Sequence, residues 1–276
     1  MRRSFNTLLA DRGKTAVGAF TCYNLETAAG VVRAAAQRRV GAILLVSAQS
    51  FRARDGELLV AALVAMADRA AVPACVQLDH TSDLELIESA FELGAGAVMA
   101  DGSKLLYDEN VALVRAAVRL GERYGGQVEA ELGRIEGNED VALAAEAGAL
   151  TDPDEAAEFV AETGVACLAV SIGNVHGIYR SPPQLDWERL YDIGGRMETP
   201  LSLHGASGLV DVDLHRAVSL GIAKVNVNTE LRQSYYEVTA ARLDELRVGS
   251  RVLDLNAAQA DGVGAVAGAK LAALTL

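Results

Sequence analysis

The chain has 276 residues, 51% of them hydrophobic, and its 37 acidic against 25 basic side chains give a formal net charge of −12. That is enough apolar material for a sizeable core, and the acidity argues against a nucleic-acid surface, which needs a concentrated basic patch. Cys22, Cys75 and Cys167 are odd in number, far apart and without Cys-x-x-Cys spacing, so no disulfide framework is expected and a reducing cytoplasm is the simplest setting.

The N-terminal Met1-Arg2-Arg3-Ser4-Phe5 is basic, but no apolar stretch follows, so no signal peptide is expected. No run approaches the ~18 apolar residues of a membrane span, so neither a membrane nor a nucleic acid is an expected partner. Ala16–Thr21 reads as a first strand and Leu25–Arg38 as a helix, followed by strand Ala42–Ser47 and helix Gly56–Arg69. Next come Ala74–Asp79 with Asp83–Leu93, then Ala97–Asp101 with Asn110–Tyr124. Gln127–Glu131 leads into a long acidic, Gly/Ala-rich segment, Gly133–Leu150, and then the helix Asp154–Thr163. Cys167–Ile172, Leu201–His204 and Lys224–Asn228 complete the strands, with a helix over Asp211–Leu220. Thr81-Ser82-Asp83 and Thr151-Asp152-Pro153-Asp154 supply helix starts.

Alternating strands and helices imply parallel pairing, because each crossover must return over the sheet. Eight such units usually take about 250 residues as a closed barrel. No Gly-x-Gly-x-x-Gly follows the first strand and no Walker motif occurs, so an α/β fold of the (β/α)8 TIM-barrel type is expected, as a single domain over residues 1–276. Segment 133–150 is expected to act as an active-site lid that is mobile when empty.

In such a barrel the chemistry lies at the C-terminal rim of the strands. The rim positions are Thr21, Ser47, Asp79 with His80, Asp101 with Ser103, Glu131, His176, His204 with Ser207, and Asn226 with Asn228 and Thr229. Three of the four histidines fall here. Three imidazoles suit a divalent metal with one coordination position left open, so His80, His176 and His204 are the candidate ligands. His215 lies in a helical stretch and reads as structural or surface. His204-Gly205-Ala206-Ser207-Gly208 and Gly177-Ile178-Tyr179-Arg180 can turn backbone N–H groups, a hydroxyl and a cation toward a phosphate. Alternation along a strand is expected to send Asp79 and His80 to different faces.

Ala19-Phe20, Asn24-Leu25-Glu26, Leu78-Asp79-His80, Glu129–Gly133, His176-Gly177-Ile178-Tyr179, His204–Gly208 and Val225–Glu230 stand in a recognisable order. Over about residues 16–230 the chain thereby resembles the class II, metal-dependent fructose/tagatose-bisphosphate aldolases. The resemblance implies a catalytic Zn²⁺ ion held by His80, His176 and His204. It implies reversible cleavage of fructose 1,6-bisphosphate or tagatose 1,6-bisphosphate to dihydroxyacetone phosphate and an aldehyde such as glyceraldehyde 3-phosphate. Asp79 matches the residue exchanging a proton with the C4 hydroxyl, and Glu139 the acid/base acting on the dihydroxyacetone phosphate carbon. Asp101 and Glu131 match positions that hold a second divalent or monovalent cation or orient the ligand shell. Gly177, Gly205, Ser207, Asn226, Asn228 and Thr229 match the dihydroxyacetone phosphate cradle, Arg180 a basic position beside it, and Ser47 a phosphate-side serine. A homo-oligomer, dimer or tetramer, is expected.

The chain also departs from the pattern. Thr21 stands where the family usually has Asn, Lys104 where a His is common, and Glu136 where a loop glycine is usual. The tail after Val248 lacks Asp-Pro-Arg, leaving Arg251 as the residue for the distal phosphate. These departures keep open an aldolase for another phosphoketose or a modified sugar acid, and a degenerate sugar-phosphate-binding barrel.

Overall fold

Strand segments such as residues 42–46, Ala-Ile-Leu-Leu-Val, are apolar on both faces, which suits only a parallel sheet covered on both sides. A computed structural model of the chain describes residues 1–137, 140, 144–145, 147–181 and 183–276. It closes these segments into a parallel barrel of β1 (Val17–Thr21), β2 (Ala42–Ser47), β3 (Ala74–Thr81), β4 (Ala97–Ala100), β5 (Gln127–Leu132), β6 (Cys167–Val170), β7 (Leu201–Leu203) and β8 (Ile222–Val227). Each strand pairs with its successor, and β8 closes onto β1 with Val17 opposite Lys224 and Phe20 opposite Val227. The expected (β/α)8 architecture is the one observed. A two-residue ladder, Ala144–Ala145 with Ile178–Tyr179, lies outside the barrel.

The helices are α1 (Phe5–Ala10), α2 (Leu25–Arg38), α3 (Ala48–Arg52), α4 (Gly56–Arg69), α5 (Leu84–Glu92), α6 (Tyr107–Tyr124), α7 (Pro153–Thr163), α8 (Trp187–Arg196), α9 (Asp211–Ser219), α10 (Thr229–Leu246) and α11 (Val252–Ala273). Their starts follow local chemistry. Asn24 accepts from the Thr27 N–H, and Asp152 caps a helix whose first residue is Pro153. The sequence reading missed α1, α3, α8, α10 and α11. α11 is rich in Ala and Gly and carries apolar residues on its exposed as well as its buried side, so its buried Ala260, Val263, Ala267 and Leu271 do not stand out in the sequence; it packs by close backbone approach, and a Cβ on Gly30 of α2 would come within 2.4 Å of the Ala260 carbonyl. Among the described residues no helix is long and apolar enough to cross a membrane.

Side chains pointing into the barrel recur at every second residue and form layers. At the N-terminal end, Val17, Ile43, Cys75, Ala97, Cys167 and Ala223 form an apolar cluster closed by Phe5, Leu8 and Leu9 of α1. The layer above is polar. Glu129 accepts from Gln77 Nε2 at 2.6 Å and from Ser202 Oγ at 2.6 Å, and pairs with Lys224 Nζ at 2.8 Å, both members of that ion pair being fully buried. Removing one partner of a buried pair strands the other charge, so Lys224→Met is expected to lower unfolding stability by about 3–5 kcal/mol. Urea unfolding of the two proteins measures it, and a loss under 1 kcal/mol, of the order of an exposed pair, would contradict the reading.

Candidate active site

Above the polar layer the strands end in the chemistry-bearing residues. β3 does not run straight to its end. Its pairing with β4 shifts register between Leu78 and Thr81, and His80 adopts φ 40°, a left-handed conformation rare for a residue with a Cβ. This corrects the expectation that Asp79 and His80 face opposite ways. The irregularity carries both side chains to the mouth: Asp79 Oδ1 accepts from Asn226 Nδ2 at 3.3 Å, while His80 Nε2 lies 2.8 Å from His204 Nδ1. His204 follows β7 directly. His176 stands in the turn after β6, where Asn174 accepts from the Ile172 N–H at 2.8 Å and donates to the His204 carbonyl at 3.0 Å.

His80, His176 and His204 offer ring nitrogens that all lie within 4.8 Å of one another. The outward nitrogens of two of them meet carboxylates: His80 Nδ1 lies 2.8 Å from Asp101 Oδ2, and His204 Nε2 lies 2.9 Å from Glu129 Oε1. Such carboxylate–imidazole pairs fix the ring and tautomer and leave the other nitrogen free to ligate. Burial is the largest influence on His204 and pulls it down to about 3, so its imidazole is neutral, with Glu129 opposing and Lys224 adding to the fall. Burial also pulls His80 down, but Asp79, Asp101 and Glu131 outweigh it and raise it well above the usual range. Three converging imidazoles, two of them backed by carboxylates, are a donor set that fits Zn²⁺.

Asp101 and Glu131 stand behind His80. Asp101 is held by the Ser103 N–H at 3.0 Å and hydroxyl at 2.7 Å, and against the cost of burial His80 and Ser103 keep its carboxyl well below the usual range. Glu131 accepts from the Ile135 N–H at 3.0 Å, and burial and the charge of Asp101 push it up to about 7. His80, Asp101 and Glu131 form a second group of possible ligand atoms within 4.8 Å of one another.

Ser47 is level with Asp79 across β2 and β3, yet its hydroxyl serves as the cap of α3, accepting from the Ser50 N–H at 3.1 Å. Thr21, at the end of β1, is buried and its hydroxyl has no hydrogen-bond partner among the described residues. Such an orphan costs roughly 1–3 kcal/mol unless a ligand satisfies it, so Thr21→Val is expected to stabilise the ligand-free protein by about 1 kcal/mol. Thermal unfolding checks this, and a destabilised valine variant would show that the hydroxyl serves the fold.

Gly177, Arg180, Ser207 and Thr229 line one cavity of about 450 Å³, shared with Tyr179 and Glu230. Gly205 has φ 66°, and a Cβ there would come within 2.0 Å of the Val175 carbonyl, so only glycine fits the turn. Asn226 belongs to the Asp79 side, with its Oδ1 accepting from Lys224 Nζ at 2.5 Å. Asn228 is buried at the start of α10, where its Nδ2 donates to the Tyr23 hydroxyl at 3.0 Å. Glu139 lies outside the described residues, as does part of segment 133–150. Within its described part, Glu136 pairs with Arg134 at 2.5 Å, and its carbonyl accepts from the His176 N–H at 2.7 Å. Arg251 pairs with Glu245 at 3.0 Å and Asp254 at 3.8 Å between α10 and α11. Lys104 and His215 are exposed, His215 on α9 as expected.

The sequence reading missed Gln77, Glu129, Ser202 and Lys224 as the support beneath the histidines. The signal was a charged, amide or hydroxyl residue at inward positions of otherwise apolar strands, two residues before Asp79, Glu131, His204 and Asn226. Tyr23 was missed because its partners are more than a hundred residues away.

The family model described as fructose-bisphosphate aldolase class-II matches residues 6–272. The D-tagatose-1,6-bisphosphate aldolase subunit GatY of Klebsiella oxytoca is 42% identical over 244 residues, covering 88% of this chain and 86% of that protein. The crystal structure of the YdjI aldolase from Escherichia coli K12 superposes with a TM-score of 0.89 at 33% identity, covering 99% of this chain and 97% of that one. The fructose-bisphosphate aldolase of Campylobacter jejuni, at 18% identity and a TM-score of 0.80 over 99% of this chain and 95% of that one, shares the fold. A match over nearly the whole length, joined to a close relative named as an aldolase, makes this chain a lyase of the class-II fructose-bisphosphate aldolase family.

Proposed function

We propose that this aldolase is zinc-dependent, with His80, His176 and His204 as the ligands, and that it cleaves a phosphorylated ketose to dihydroxyacetone phosphate and an aldehyde. The observation that carries the proposal is the convergence of three imidazoles, His80, His176 and His204, at the rim that also holds the buried carboxylate of Asp79. Zn²⁺ bound there supplies a Lewis acid for the substrate's ketone oxygen. Asp101 and Glu129 orient two of the rings, and Asp101, Glu131 and His80 are the candidate holders of a second divalent or monovalent cation. Asp79, fixed by Asn226, takes the proton from the C4 hydroxyl as the carbon–carbon bond breaks. Gly177, Gly205, Ser207, Asn226, Asn228 and Thr229 form the dihydroxyacetone phosphate cradle, with Arg180 adding charge at the cavity wall and Ser47 as a phosphate-side serine. Glu139 exchanges the proton at the dihydroxyacetone phosphate carbon.

Fructose 1,6-bisphosphate and tagatose 1,6-bisphosphate are the leading substrates, and the 42% identity to a tagatose-bisphosphate aldolase subunit favours the second. The pairing of Arg251 with Glu245 and Asp254, together with the orphaned Thr21 hydroxyl, favours a second reading in which the far end is another phosphoketose or a modified sugar acid. Exposed Tyr236, Val248, Val252 and Leu253 on α10, α11 and their junction support a homo-oligomer, dimer or tetramer. Three free, buried cysteines support a cytoplasmic setting. A panel of ketose 1-phosphates and bisphosphates, assayed by coupled detection of dihydroxyacetone phosphate, tests the assignment. Cleavage fastest on a bisphosphate supports the leading reading, fastest on a carboxylate-tailed 1-phosphate supports the second, and none on any member overturns both.

A further inference from the structure

The cavity that Gly177, Arg180, Ser207 and Thr229 line also carries a carboxylate, Glu230, where a bare negative charge would repel a phosphate. Glu230 is the second residue of α10, and its Oε1 accepts from the Gly208 N–H at 3.1 Å. Gly208 ends the turn after β7, has φ 91° and lines the cavity beside Ser207. The other oxygen, Oε2, lies 3.0 Å from Nζ of Lys270, in the last turn of α11. The Lys270 and Glu230 side chains are only 12% and 26% exposed, so solvent screens the pair weakly. The other end of the turn is tied separately, the Tyr179 hydroxyl donating to the Gly205 carbonyl at 3.0 Å. An acid in the first turn of α10 suits the helix dipole, which explains neither the bond to Gly208 nor the lysine behind it.

We propose that Glu230 and Lys270 are positioning residues for the phosphate half of the substrate: Glu230 pins the end of turn 204–208, and Lys270 cancels the charge that does so. The proposal rests on the reading of this cavity as the phosphate site. The carboxylate–amide bond is charge-assisted, the stronger class of hydrogen bond, and it holds a glycine that would otherwise be the freest point of the turn. Without Lys270 the same carboxylate becomes a like charge on the cavity wall. α11 is thereby linked to phosphate affinity, although it supplies none of the described residues that line the cavity.

The test measures dihydroxyacetone phosphate affinity in the zinc-loaded full chain, with zinc content, and with kcat and KM on the best ketose phosphate. Glu230→Ala and Lys270→Met are each expected to weaken affinity on the order of tenfold, the first by losing a hydrogen bond to a charged group, the second by leaving a like charge near the phosphate. KM is expected to rise far more than kcat falls, at unchanged zinc content. Glu230→Gln keeps an acceptor for the Gly208 N–H and is expected to recover most of the affinity lost in Glu230→Ala. Adding Glu230→Gln to Lys270→Met is expected to restore affinity, because it removes the uncompensated charge. Unaltered affinity in Glu230→Ala or Lys270→Met, while Ser207→Ala weakens it, overturns the proposal. So does a double variant that binds no better than Lys270→Met, or losses of zinc and kcat that match the change in KM. Full affinity in both Ser207→Ala and Arg180→Ala would instead overturn the phosphate reading of the cavity, and this proposal with it.

Discussion

His204→Ala is expected to lose its zinc and its carbon–carbon cleavage together. The side chain is fully buried, with one nitrogen turned to His80 at 2.8 Å and the other held by Glu129 at 2.9 Å. Its removal leaves a two-imidazole site and frees the His80 ring on that side. Glu129 keeps Gln77, Ser202 and Lys224, so the layer beneath remains paired and the barrel is expected to fold. Loss of a Lewis acid worth several kcal/mol corresponds to a fall in turnover on the order of a thousandfold or more. Metal analysis and turnover are measured on the same preparations of His80→Ala, His176→Ala and His204→Ala. His215→Ala, exposed on α9, serves as the control and is expected to match the unaltered protein. Stoichiometric zinc in all three rim variants would remove the basis of the assignment.

Asp79→Ala is expected to keep its metal and lose cleavage by roughly 10²–10⁴-fold, the range for losing a positioned acid/base group. The structure changes the reason for expecting this. Asp79 and His80 were expected to act independently because a strand sends neighbours to opposite faces, but the register shift at the end of β3 turns both to the mouth. Asp79 acts on His80 through its charge, and Asn226 Nδ2 also lies 3.3 Å from His204 Nδ1, so separation of the two roles now rests on each side chain having its own hydrogen-bond brace. His80 is braced by Asp101 and faces His204, whereas Asp79 contacts Asn226, whose amide Lys224 anchors separately. Asp79→Asn, which preserves shape, is expected to be about as slow as the alanine variant. Near-normal turnover in either would rule Asp79 out as the principal proton acceptor, and loss of zinc in both would assign it to the metal shell.

The barrel was legible in the sequence because each strand is a short apolar run ended by a polar residue, and most of the intervening helices carry an apolar face. β2, α2 and α4 have the expected bounds, and the other strands differ at their ends by one or two residues. The three histidines were legible for the same reason: strand ends are where a parallel barrel gathers its chemistry. α10 and α11 were not, because α10 buries only Thr229, Leu231 and Leu246, while α11 is apolar on its exposed side too, so its buried face does not stand out from the rest. The polar layer of Glu129 and Lys224 was invisible to a reading centred on rim motifs, since a lysine inside a β run makes sense only once its carboxylate partner, 95 residues away, is brought opposite. Gly208, Glu230 and Lys270 are brought together only by the closed barrel.

The most direct test of the central claim is turnover of the purified protein on its best ketose substrate before chelation, after exhaustive chelation, and after return of zinc. The account predicts that release of dihydroxyacetone phosphate stops when the metal is removed and returns with one equivalent of Zn²⁺, and that the same treatment restores nothing in His204→Ala. Undiminished release from protein shown by metal analysis to be free of zinc and other divalent ions would contradict it.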